Sequence, residues 1–202
     1  VPEPATESEH GPVSRAECGW AALRCAGGTV AMLSRHRLHL VPGRVGQRFS
    51  FADGTSARVF RETVTDLRPE DPCVLVVRFR LRWVRGSGHW LFERESLLNT
   101  VLFAGYPGLV SKLWLAADEQ GRYRGYYEWD GPERAEHYAR CLWRVLALVS
   151  VPGSVDYQIV PATTRDRSLN GLPAVAGSIP GDPARWWQPV AIGAPPRTIT
   201  WP

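Results

Sequence analysis

The sequence predicts an α+β domain in the order strand, helix, strand, strand, helix, strand, with an antiparallel sheet and both helices on one of its faces. Three observations carry this. Residues 72–84 alternate, with Leu75, Val77, Phe79, Leu81 and Trp83 on one side and Val74, Val76, Arg78, Arg80 and Arg82 on the other, the period of a strand with two different faces. Two helical stretches each end in the same device, Pro107-Gly108 and Pro152-Gly153, directly followed by a strand, so the halves form a weak internal repeat. The chain has 202 residues, 44% hydrophobic and 22% charged, enough for one sizeable core and against wholesale disorder.

Each element has its own local reason. Arg48–Phe51, the turn signal Asp53-Gly54 and the extended run 57–64 read as a β-hairpin added to the sheet. Beyond Gly86-Ser87-Gly88, residues 89–103 place Leu91, Leu98 and Leu102 near helical spacing, which predicts the first helix. Strand two covers 110–116, with Leu113 and Leu115 assigned to the helix side and Lys112 and Trp114 away from it. The polar run 118–121 turns into strand three, 122–129. Asp130-Gly131-Pro132-Glu133 supplies a side-chain cap, a proline and an early carboxylate, and Ala135, Tyr138 or Ala139, Leu142, Val145 or Leu146, and Val149 form the buried stripe of the second helix. Strand four covers 154–160. Connections that do not cross make this a ferredoxin-like βαββαβ unit with a four-stranded sheet.

The flanks differ. Residues 1–45 lack sustained periodicity and predict loop or disorder, with Met32, the one methionine, as a possible alternative start. Residues 46–160 form the domain with its hairpin, and 161–202 form a proline-rich tail that wraps the surface or hangs free. The sheet face opposite the helices combines Val74 and Val76 with Arg78, Arg80, Lys112, Trp114, Tyr126 and Glu128, an odd surface to leave to water. A two-fold homodimer packed sheet to sheet would bury it, with those last six residues as the interface. The competing arrangement is a monomer whose tail or hairpin covers the same face.

The stretch Tyr106-Pro107-Gly108-Leu109-Val110-Ser111-Lys112-Leu113-Trp114, followed by Arg124-Gly125-Tyr126-Tyr127-Glu128-Trp129 and Ala135-Glu136-His137-Tyr138, resembles the dimeric α/β-barrel superfamily. In particular it is similar to the small monooxygenases related to antibiotic-biosynthesis monooxygenases, over residues 72–160. The resemblance implies a dimeric α/β barrel and oxygenation of an aromatic or polyketide-like substrate with no cofactor. That chemistry needs a dry aromatic pocket, a base or hydrogen-bond partner for the substrate hydroxyl, and a path for oxygen. His89, Asn99, His137 and Tyr138 are the candidate catalytic residues, and Tyr127 and Trp129 the candidate substrate-binding ones. Core packing competes for Tyr127 and Trp129, and surface positions compete for the two histidines and Asn99. The other function class is a non-catalytic dimeric module that holds a hydrophobic ligand or partner. Polar groups converging in a cavity between helices and sheet favour catalysis, and purely apolar walls favour binding.

Other classes lose support. The net charge of +4 is spread along the chain, which does not suggest nucleic acid, and no run reaches the roughly 20 apolar residues of a membrane span. Cys18, Cys25, Cys73 and Cys141 match no zinc spacing, so reduced thiols in a cytoplasmic protein are expected. His36 and His39 lack a nearby acid in the sequence, so no metal site is expected. No phosphate loop or Gly-x-Ser-x-Gly elbow occurs.

Overall fold

The computed structural model describes residues 37–82, 105–174 and 181–194. Its strands are β1 (Leu38–Leu40), β2 (Arg48–Phe51), β3 (Ser56–Thr65), β4 (Pro72–Phe79), β5 (Leu109–Leu115), β6 (Tyr123–Asp130), β7 (Asp156–Val160) and β8 (Pro189–Gly193), and its helices α1 (Pro132–Val149) and α2 (Arg165–Leu169). The sheet runs β7-β4-β6-β5-β3-β2-β8, antiparallel throughout, with β1 paired to the end of β3. The four expected strands, β7-β4-β6-β5, lie together as a ferredoxin-like unit with strands one and three central. The sheet is nonetheless eight-stranded, not four-stranded, because the β2–β3 hairpin extends it beyond β5 and the C-terminal segment adds β8. The first predicted helix, with His89 and Asn99, and Trp83 of the first predicted strand lie outside the described residues.

Helix α1 follows the predicted stripe, burying Ala135, Tyr138, Ala139, Leu142 and Leu146 while Val145 and Val149 stay exposed. Its start differs from expectation. Gly131 is the N-cap and no side chain caps it, since the Asp130 carboxylate instead accepts from the Glu70 and Asp71 amides and pairs with Arg134 at 2.7 Å. Pro132 and Glu133 do open the helix as expected. The Pro-Gly turns work through Gly108 and Gly153, at φ 95° and 72°, where a side chain would be strained.

Strand β5 is assigned to the wrong phase by alternation alone. A bulge between Leu109 and Ser111 inserts Val110, so Leu109 and then Lys112 and Trp114 face α1, while Leu113 and Leu115 join Val74, Val76 and Tyr126 on the opposite side. One extra residue flips every later side chain.

That opposite side is not bare. The hairpin's Phe49 and Phe51 and the C-terminal segment's Leu169 and Trp186 pack on it, the covering by hairpin and tail set out above. Three of the expected interface residues are engaged within one chain. Tyr126 donates to Ser168 Oγ at 2.9 Å, Arg78 pairs with Asp156 at 2.7 Å beneath Trp186, and Glu128 sits buried near Arg165. Arg80 is exposed just past β4, and Lys112 and Trp114 lie on the other face. The described residues past 160 correspondingly supply an edge strand and a plug, as edge-strand prolines allow. The segment before residue 46 likewise contributes β1.

The clamp under this plug is ionic. The fully buried Arg124 side chain pairs with Asp118 and with Asp53, each at 2.7 Å, joining the β5–β6 turn to the hairpin turn. Removing one member leaves buried charge uncompensated. Arg124→Leu is expected to lower unfolding free energy by about 3–5 kcal/mol in urea titration; a loss below about 1 kcal/mol would refute this role.

Candidate functional site

The bulge-set phase of β5 delivers the chain's single lysine, Lys112, to the space between the sheet and α1. A cavity there is lined by Phe60, Phe79, Lys112, Trp114, Leu115, Tyr123, Arg124, Gly125, Tyr127, Leu142 and Leu146, with about 50 Å³ open to water-sized occupants. Phe60 and Phe79 are its half-buried walls. Lys112 Nζ lies 3.0 Å from the centroid of the Trp114 ring and 4.6 Å from that of Tyr127. Trp114 is oriented by a hydrogen bond from its Nε1 to Thr63 Oγ1, 3.3 Å, across β3.

Two effects compete at this amine. The ring faces favour the ammonium by about 2 kcal/mol in a desolvated site, against a burial penalty of several kcal/mol. Burial wins: it holds Lys112 well below the ordinary lysine range, and the nearby Arg61 charge acts in the same direction. Tyr127 shows the mirror effect, its phenol pushed far upward by burial despite a hydrogen bond from the Tyr138 hydroxyl at 3.4 Å. The cavity thus sets an amine displaced toward its neutral form beside a phenol displaced toward its protonated form.

Gly125 makes room for that phenol. A Cβ at this position would lie 2.5 Å from the Tyr127 ring and 2.7 Å from its hydroxyl, so Tyr127 is laid back along its own strand over the glycine.

The structure brings Tyr127 and Tyr138 together through their hydroxyls. Trp129 packs on Tyr138, ring centroids 4.8 Å apart, and belongs to the core instead of the cavity wall. His137 is exposed on α1, its Nε2 3.9 Å from Cys141 Sγ and its ring 6.0 Å from Tyr106, away from the cavity. Lys112 and Trp114, expected at an interface, are the residues the sequence reading misplaced. Cys73 is buried under α1 and its thiol is pushed up to about 12 by that burial.

The opposite face holds a second buried polar cluster. Glu62 accepts from the Arg44 amide and pairs with Arg165, both at 2.8 Å, while burial pushes the Glu128 carboxyl up against the opposing pull of Arg165. These contacts seat α2 on the sheet. They reach no cavity among the described pockets. Among the described residues no cluster of His, Cys, Asp and Glu could hold a metal ion, and His39 instead bonds Asp66 at 2.8 Å. No described helix is long and apolar enough to cross a membrane.

The chain's structural neighbours are ferredoxin-fold proteins. One is an uncharacterized ferredoxin fold protein related to antibiotic biosynthesis monooxygenases from Listeria monocytogenes, 15% identical with a TM-score of 0.40, covering 54% of this chain and 64% of that one. Another is a monooxygenase-like protein from Listeria innocua, 15% identical with a TM-score of 0.38, covering 52% of this chain and 63% of that one. Each match spans less than two thirds of the neighbour's length. No family model and no curated protein matches the sequence.

Gly125→Val is expected to destabilise by about 1–3 kcal/mol by displacing the Tyr127 ring. In a Tyr127→Leu background the same change should cost at most half as much by thermal melting; equal costs in the two backgrounds would show that the ring contact is not the cause.

Proposed function

We propose that the protein is a small-molecule enzyme that oxygenates an electron-rich phenol without a bound cofactor, in the cavity between the sheet and α1. The observation that carries this reading is a buried amine, Lys112, set among Trp114, Tyr127 and Phe79, where burial shifts it toward its neutral form. Such an amine can take the phenol proton, and the phenolate then supplies the electrons. One oxygen atom of dioxygen enters the ring to give a quinone and the other leaves as water, so phenol plus dioxygen balances against quinone plus water. The lysine ammonium returns its proton to the departing oxygen.

Size restricts the substrate. A cavity that accepts a benzene ring measures about 150 Å³, so the 50 Å³ present here takes dioxygen as it stands and a single ring once Phe60 or Phe79 turns aside. A polyketide-sized guest exceeds this space. The mostly aromatic and aliphatic walls favour one second reading, a module that holds a small hydrophobic molecule without turnover.

An oxygen electrode with a panel of monocyclic phenols separates the two. Uptake of one dioxygen per quinone formed is expected, falling about 100-fold or more in Lys112→Met with an unchanged circular dichroism spectrum. Uptake that survives the substitution would reject Lys112 as the base, and saturable binding without uptake would favour the module.

A further inference from the structure

We propose that Lys112 is also a covalent capture site, whose ε-amine, set in the wall of the cavity against Trp114 and beside Tyr127, condenses with a small aldehyde or ketone to form an imine. This goes beyond the oxygenase reading and does not depend on it. Three placements carry it.

First, the amine borders the cavity, with its ammonium position 3.0 Å from the Trp114 ring, so an occupant of that space is within reach of it. Second, the volume of about 50 Å³ matches a carbonyl compound of two or three carbons better than it matches an aromatic ring. Third, Tyr127 lies 4.6 Å from the amine by its ring centroid, and its hydroxyl accepts from Tyr138, which leaves the Tyr127 proton available to a guest.

The chemistry balances without an added oxidant or reductant. The amine nitrogen adds to the carbonyl carbon, giving a carbinolamine after its proton passes to the oxygen. Loss of that oxygen as water, with a proton from the Tyr127 phenol, closes the carbon–nitrogen double bond, and the second nitrogen proton restores the phenol. Burial supports both partners, since it keeps the amine nucleophilic and the phenol protonated.

Lysine content makes the test clean, because Lys112 is the chain's one lysine and the α-amine is the sole other primary amine. The protein is incubated anaerobically at pH 7 with acetaldehyde and cyanoborohydride, and ethylation of the Lys112 peptide is followed by mass spectrometry, folded and in urea. Only about one ordinary lysine amine in 2,500 is neutral at pH 7. Folded protein is therefore expected to label Lys112 at least about tenfold faster than the unfolded chain, even though unfolding exposes the amine. Its rate should also rise less steeply from pH 7 to 9 than the gain of about tenfold per unit of an ordinary lysine. Faster labelling in urea, or no labelling of folded Lys112 while the α-amine reacts, would overturn the proposal. Labelling without oxygen uptake on phenols would retain capture and remove the oxygenase reading; uptake without labelling would do the reverse.

Discussion

Because the Arg124 side chain is wholly buried, its charge has to be met inside the chain, and Asp118 and Asp53 meet it at 2.7 Å each. That requirement fixes the relation between three otherwise separate pieces: strand β6, the β5–β6 turn and the hairpin turn. Arg78, one strand away, extends the network to Asp156 and carries the Trp186 ring at 4.4 Å. The C-terminal segment is thereby seated on a face that would otherwise present valines and tyrosine to water. With that face closed, the described cavity that reaches a lysine lies on the other side, between sheet and α1.

The two faces of β5 and β6 handle buried cations in opposite ways. Arg124 keeps its charge because two carboxylates are placed to receive it, and a guanidinium is hard to deprotonate in any case. Lys112 has aromatic faces and the Arg61 charge around it, and an amine yields its proton far more readily. The same alternation of side chains that makes a strand two-sided therefore makes one side an ionic clamp and sets a buried amine on the other. A lysine at 124 or an arginine at 112 would exchange neither role successfully.

Much of the architecture was legible because local signals agreed with one another. The stripe of α1, the Asp53-Gly54 hairpin and the turns at Gly108 and Gly153 all follow from propensity and spacing, and the structure has each of them. The side chains of β5 were not legible, since a bulge at Val110 leaves no mark in the sequence and reverses the faces after it. Lys112 was consequently read as an interface residue. The C-terminal segment carries a usable signal in Trp186-Trp187, a pair suited to anchoring the tail to the domain, while its proline content hides strand β8. His137 shows the converse: a residue type suited to catalysis, at a helical position that turns it outward.

The account turns on the protonation state of one amine. With a single lysine in the chain, selective ¹⁵N labelling gives one Nζ resonance, and its shift can be followed from pH 5 to 11 in the intact protein. A neutral-amine signal at pH 7, with a midpoint well below the ordinary lysine value of about 10.4, is the predicted result. An ammonium signal persisting to pH 9 or above would contradict the central claim that burial against Trp114 and Tyr127 holds Lys112 as a base.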